Sequence, residues 1–112
     1  LGGFLAMRGF DRVLANWPDH EKADDAALAR LNILLQQNDH AGVEAQAQQF
    51  SRHFPDSPLS PEVRRVLARS RLARREYGPA SEALAELVAA QPNRDDAYLL
   101  AVALLGAERP PA

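Results

Sequence analysis

A proline recurs along the chain at a fixed interval of 37 residues, at Pro18, Pro55 and Pro92. Upstream of each proline, apolar residues correspond at the same interval. The corresponding sets are Ala6, Val43 and Ala80, then Phe10, Ala47 and Leu84, then Val13, Phe50 and Leu87. Self-similarity at a period of roughly 20–50 residues is typical of stacked repeats, in which neighbouring units cover one another's apolar faces. The period therefore predicts a helical-repeat array, a kind of fold that binds partners rather than catalysing reactions.

The composition indicates that the repeated unit is helical. Much of the 46% hydrophobic content is alanine and leucine, which are strong helix formers. Runs rich in valine, isoleucine and threonine, which favour strands, are absent from the sequence. We therefore expect an all-α fold, and the 112 residues suit a single domain with one continuous core.

Composition also limits the possible partners and cofactors. The formal net charge of −2 gives no reason to expect nucleic acid as a partner. No apolar run approaches the roughly 18 residues that direct insertion into a membrane requires. The chain has no cysteine, which excludes disulfides and thiolate metal sites and leaves the cytoplasm and the periplasm both open as locations.

Apolar periodicity and helix-breaking residues divide the chain into about six helices. Asn38 suits the left-handed residue that often ends a helix. The predicted segments are the second helix of one repeat at 4–17, complete repeats at 24–55 and 60–92, and the first helix of a further repeat at 95–107. Within the complete repeats, helices are expected over about 24–35, 41–54, 60–76 and 79–90. Because this order begins and ends with half of a hairpin, we expect the chain to be a section of a longer array.

The stretch from Arg74 to Pro92 resembles a tetratricopeptide (TPR) repeat, a unit of two antiparallel helices with a length of about 34 residues. With Pro92 on the family's proline position, Leu67 and Ala68 fall on its adjacent leucine and small-residue positions, and Tyr77 falls on the aromatic position at the turn. The matches in the second helix are Ala80, Leu84 and Leu87.

The earlier repeat, at 24–55, fits the TPR pattern less closely. It has Val43 where the family has alanine and Ala47 where the family has a bulky residue. The interval of 37 exceeds the length of a TPR by three residues, which fit the loop from Asp56 to Leu59. The resemblance implies that the hairpins stack as a right-handed superhelix in which the first helices line a concave groove.

The resemblance also implies which side chains face that groove. They are Asn32, Gln36, Arg65, Arg69 and Leu72. Arg65 and Arg69 are four residues apart in an arginine-rich helix, so they share a face. Two neighbouring guanidinium groups could clamp a carboxylate of an acidic peptide or of a sugar acid. The alternative is a solvated face whose arginines pair with Glu62, Glu76 and acids of neighbouring helices.

The helix predicted at 95–107 is apolar around most of its circumference. A terminal helix of a repeat array normally has a polar outer face, and a helix that is apolar all round normally is buried. We therefore expect this helix to pack against a further repeat or against another copy of the chain, which would make a homo-oligomer through its terminal helices. The residues predicted to mediate self-association are Tyr98, Leu100 and Leu104.

No motif in the sequence indicates catalysis, a metal site or a cofactor, so the chain is predicted not to be an enzyme. The pairs Asp24-Asp25 and Asp95-Asp96 begin predicted helices, where acids act as caps. The favoured function is a scaffold that binds a protein or peptide partner in the groove. The alternatives are a structural segment for self-association and a regulatory domain of a larger protein. The Ala-, Leu-, Arg- and Gln-rich composition resembles that of bacterial TPR segments in secretion and exopolysaccharide-assembly proteins.

Overall fold

The computed structural model describes residues 22–108, and the regular secondary structure in this range is entirely α-helical. The helices are α1 (Ala23–Gln36), α2 (His40–His53), α3 (Ser60–Ala73), α4 (Tyr77–Ala90) and α5 (Arg94–Glu108). They are joined by short connections and pack mainly against their neighbours in sequence, as helix hairpins. The all-α prediction is therefore confirmed. The helix predicted at 4–17 lies outside the described residues.

The interval of 37 residues is present in the structure as well as in the sequence. The first residues of α1 and α3 are 37 apart, and so are the first residues of α2 and α4. All four helices are 14 residues long. The connection between α2 and α3 covers residues 54–59, whereas the connection between α4 and α5 covers only residues 91–93. The longer connection contains the loop that was predicted to hold the three extra residues.

The turns inside the two hairpins have the same backbone conformation. Asn38 has φ 58° and Arg75 has φ 60°, both in the left-handed region. In each turn the next residue donates a backbone hydrogen bond to a carbonyl five positions earlier, from Asp39 to Leu34 and from Glu76 to Arg71. This pattern is the Schellman motif, which satisfies carbonyl groups left free at a helix end. The prediction at Asn38 is confirmed, and α3 ends at Ala73 rather than at Glu76 because its turn also needs this motif.

The chain divides into two compact units, and the division falls within α3 between Val63 and Arg64. In the first unit α1 packs against α2. The buried side chains of each helix lie on one side of it, the pattern of amphipathic helices that cover each other. They include Leu31 and Leu34 of α1 and Val43, Ala47 and Phe50 of α2.

The second unit has its core where α4 lies between α3 and α5. Ala68 of α3 and Ala103 of α5 both belong to the same buried cluster as the inner face of α4. The α4 residues of this cluster are Ala80, Ala83, Leu84 and Leu87. The predicted correspondence between the two second helices is confirmed, because the buried trio of α4 (Ala80, Leu84 and Leu87) matches the buried trio of α2 (Val43, Ala47 and Phe50).

Candidate partner-binding site

Arg65, one of the predicted groove residues, forms a bidentate ion pair with Asp96 of α5. Its Nε lies 2.9 Å from Oδ1 and 3.0 Å from Oδ2 of Asp96, and its Nη2 lies 2.9 Å from Oδ2. The Asp96 side chain is only 2% exposed and that of Arg65 is 21% exposed. A paired guanidinium and carboxylate in this planar geometry make strong, directional hydrogen bonds. The pair therefore connects α3 to α5 within the second unit.

Asp96 is free to make this ion pair because another residue caps α5. The Asn93 side-chain oxygen accepts hydrogen bonds from the backbone N–H groups of Asp95 (2.9 Å) and Asp96 (3.1 Å). Asn93 is thus the N-cap, two residues before the predicted start of this helix at residue 95. Asp96 lies in the first turn of α5, as predicted for an acid that stabilises a helix start, but its carboxylate is turned to Arg65, which was not predicted. The acid at this position is a structural ion-pair partner.

Other arginines of α3 and its turn also contact nearby groups. Arg64 pairs with Glu86 of α4 at 3.5 Å, and Arg74 pairs with Glu76 at 3.2 Å. Arg71 donates from Nη1 to the backbone oxygen of Pro79 at 3.1 Å. For these residues the alternative interpretation of the arginine-rich stretch, as a set of intramolecular pairs, agrees with the structure.

Arg69 differs from its neighbours on α3. It is exposed, and its side chain has no hydrogen-bond or ion-pair partner among residues 22–108. It lies one helical turn after Arg65, whose guanidinium is held in place by Asp96. Arg69 therefore presents a positive charge to solvent beside an arginine of fixed orientation.

The remaining predicted groove residues fall into both units. In the first unit, Asn32 and Gln36 are exposed one turn apart on α1. In the second unit, Leu72 is half-buried and packs against the core cluster of α4. Asn32 and Arg69 are 37 residues apart, so both first helices present an exposed polar side chain at the same position of the repeat.

Hydrogen bonds of Ser57, which were not predicted, fix the loop between α2 and α3. Ser57 donates from Oγ to Oδ2 of Asp24 at 2.7 Å, and its Oγ accepts from the backbone N–H of Leu59 at 3.1 Å. Asp24 lies in the first turn of α1, which begins at Ala23, one residue before the predicted start at about residue 24. The role of this acid is to anchor the longer loop of the repeat to α1.

The residues predicted to mediate self-association have different surroundings on α5. Tyr98 is 69% exposed, Leu105 is 61% exposed and Leu104 is 50% exposed. Leu100, in contrast, is half-buried and packs against the core cluster of the second unit. The exposed apolar surface of α5 is thus centred on Tyr98 and Leu105 rather than on Leu100.

The described residues hold few features that point to other chemistry. Between residues 22 and 108 there is no group of three or more His, Cys, Asp or Glu side chains that could hold a metal ion. His40 is half-buried at the start of α2 and His53 is exposed at its end. None of the five described helices is both long and apolar enough to cross a bilayer.

Comparison of the chain with protein-family models, with curated proteins and with solved structures gives no significant match.

Proposed function

We propose that the chain is a TPR-like helical-repeat module that binds a protein or peptide partner through the first helices of its repeats. In this proposal the hairpins stack as a right-handed superhelix, and the binding residues are Asn32, Gln36, Arg65, Arg69 and Leu72. The proposal assigns no catalytic step to the chain. A regulatory domain of a larger protein would use the same surface.

The observation that carries the proposal is the repeated exposure of one polar position. Asn32 on α1 and Arg69 on α3 are 37 residues apart, and both are exposed although each directly follows a buried residue. Leu31 and Ala68, the residues immediately before them, are fully buried. A repeat that keeps its core at one position and varies an exposed polar residue at the next is suited to recognition of an extended ligand by successive repeats.

The chemistry of the exposed position favours an anionic ligand in the second unit. A guanidinium binds a carboxylate with two parallel hydrogen bonds when its own donors are available. No described residue accepts a hydrogen bond from the Arg69 side chain, whereas Nε and Nη2 of Arg65 are directed to Asp96. Arg69 would therefore bind the ligand directly, and Arg65, whose charge is balanced by Asp96, would line the site beside it.

An array of random peptides with different numbers of acidic residues would test this function. We expect peptides with several Asp or Glu residues to be retained, and Arg69→Ala to weaken their binding about tenfold or more, the loss of one charge-assisted bidentate contact. Arg52→Ala is the matched control, because Arg52 is an exposed arginine on α2 and its loss changes the net charge equally. Equal effects of the two substitutions would contradict a site at Arg69.

Arg65→Ala is not a clean test of the same site. It would leave the buried carboxylate of Asp96 without its partner, so a loss of binding could follow from a loss of stability. Comparison of Arg69→Ala with Asn32→Ala is more informative. A ligand that contacts both repeats should respond to both substitutions, each at unchanged helix content by circular dichroism.

A further inference from the structure

One side of α5 has an exposed apolar stripe, which we call the outer face of α5. It consists of Tyr98, Ala101, Leu104 and Leu105, all of them exposed. These residues follow a three- and four-residue spacing and so lie on one side of the helix. The opposite side of α5, with Asp96 and Ala103, is buried in the second unit. An apolar stripe of this kind on a helix normally faces another element.

Comparison of α5 with α3 identifies what should cover this face. Fully buried Ser70 and exposed Arg69 on α3 match fully buried Ala103 and exposed Val102 on α5, 33 residues further on. The shift is below 37 mainly because the connection before α5 is three residues shorter than the one before α3. Burial thus aligns the two helices by their packed sides.

In this alignment, the outer face of α5 corresponds to the side of α3 that α4 covers. Ala101, Leu104 and Leu105 correspond to Ala68, Arg71 and Leu72. Ala68 is in the buried cluster with α4, Leu72 packs against that cluster, and Arg71 is hydrogen-bonded to Pro79. The outer face of α5 is therefore suited to pack against the second helix of a repeat, in the same way that α3 packs against α4.

The sequence contains a segment with the required pattern outside the described residues. In segment 4–17, Ala6, Phe10 and Val13 correspond at the interval of 37 to the buried trio of α2 and, at twice that interval, to the buried trio of α4. The net charges also have opposite signs. Segment 4–17 has two arginines and one aspartate, a net charge of +1. With Asp96 paired to Arg65, α5 keeps one arginine and two acids, a net charge of −1.

We propose that the outer face of α5 binds segment 4–17 of a second copy of the chain. The buried cluster of α4 contacts both the first helix before it and the first helix after it, since it includes Ala68 and Ala103. Segment 4–17 has the apolar pattern of α4, so the outer face of α5 in another copy matches it in the way that α3 matches α4. Copies that bind in this way join head to tail. This contact does not depend on the proposed groove or on any ligand.

A head-to-tail contact uses two different surfaces and does not close on itself, so it should form chains of copies. In sedimentation velocity, we expect the average mass of the unmodified 112-residue chain to rise with concentration beyond that of a dimer. Leu104→Glu, on the outer face of α5, and Phe10→Glu, in segment 4–17, should each weaken self-association at least about tenfold, because each would bury an unpaired charge. Gln48→Glu, which adds the same charge at an exposed position of α2, should have no effect.

Mixing the two variants separates this contact from a symmetric one. The Leu104→Glu chain keeps an intact segment 4–17 and the Phe10→Glu chain keeps an intact α5, so an equimolar mixture should form a one-to-one dimer and nothing larger. A symmetric contact between two α5 helices would instead leave Phe10→Glu fully self-associating, which would overturn the proposal. An unmodified chain that stays monomeric at high concentration would overturn it as well.

Cysteine substitutions test the same contact without introducing a charge that could disturb folding. The chain has no cysteine, so Phe10→Cys and Leu104→Cys each introduce a single thiol. With a short thiol-reactive cross-linker, we expect covalent dimers from a mixture of the two variants and none from either variant alone. Cross-linked dimers of Leu104→Cys alone, or the absence of dimers from the mixture, would contradict a head-to-tail contact.

Discussion

Asp96 and Asp95 are both acids in the first turn of α5, but only Asp96 is buried and paired with Arg65. Asp96→Ala would leave the guanidinium of Arg65 in a mostly buried site without its counter-charge. Breaking a buried pair in this way costs about 3–5 kcal/mol, so we expect a loss of this size in the free energy of unfolding measured with urea. The result would establish the ion pair as a main connection between α3 and α5.

Asp95→Ala is the matched control for this substitution. Asp95 is exposed and contributes mainly its favourable interaction with the helix dipole, which is worth at most about 1 kcal/mol. The double variant Arg65→Met with Asp96→Leu should recover most of the lost stability, because it removes both charges from the buried site together. Equal costs for Asp96→Ala and Asp95→Ala would show that the ion pair adds nothing to stability.

Substitution of alanine for two glycines of the second unit should change the free energy of unfolding in opposite directions. A Cβ at Gly106 of α5 would lie 2.5 Å from Cδ1 and 2.7 Å from Cγ of the Tyr77 ring, whereas a Cβ at Gly78 of α4 would meet nothing within 4 Å. We expect Gly106→Ala to lower the unfolding free energy by about 1–3 kcal/mol through overpacking. Gly78→Ala should raise it by up to about 1 kcal/mol, because alanine favours the helix. Thermal unfolding of the two variants would measure both effects, and a shift of the same sign in both would contradict the packing of Gly106 against Tyr77.

The sequence indicated the arginine-rich stretch but not the partner of Arg65. Helix periodicity shows which residues share a face, and it does not show which of several nearby acids a flexible arginine will choose. One signal was available, since Asp96 lies three, four and seven residues before Leu99, Leu100 and Ala103, on the packed side of α5. An acid on an apolar face requires a buried partner, which is a stronger constraint than its position near a helix start.

At the scale of helices and turns, the two Schellman turns allow a comparison within one molecule. Arg75 has positive φ without the local hydrogen bonding that makes this conformation accessible to asparagine, which is the residue at the equivalent position, Asn38. We expect Arg75→Gly to raise the unfolding free energy by about 1 kcal/mol and Asn38→Gly to raise it by less. Urea unfolding of both variants would measure the difference. A loss of stability in Arg75→Gly would mean that this arginine contributes more to the fold than its strained backbone costs.

Most helix positions could be predicted from the sequence because prolines and periodic apolar residues mark them. The boundary that differed most was the end of α3, predicted at Glu76 and observed at Ala73. Arginine and glutamate at this end are good helix formers, so nothing local stops the helix. The turn is set by the packing of α4 on α3, and the repeat itself contained the missing information, since Asn38 is the equivalent of Arg75 at the interval of 37.

At the scale of the whole molecule, the division into two compact units predicts that damage in one unit stays largely within it. Because the helices pack mainly against their neighbours in sequence, local unfolding in one unit need not spread to the other. In native-state hydrogen exchange, Asp96→Ala should therefore reduce the protection of amides in α4 and α5 much more than that of amides in α1 and α2.

Leu31→Ala provides the reciprocal test in the first unit. Leu31 is fully buried on α1, and its truncation to alanine should cost about 2–5 kcal/mol. The protection of amides in α1 and α2 should fall with this change, while amides in α4 and α5 should keep most of theirs. If both substitutions instead lower protection uniformly along residues 22–108, the chain unfolds as one cooperative body, and the boundary between Val63 and Arg64 is a feature of its contacts rather than of its energetics.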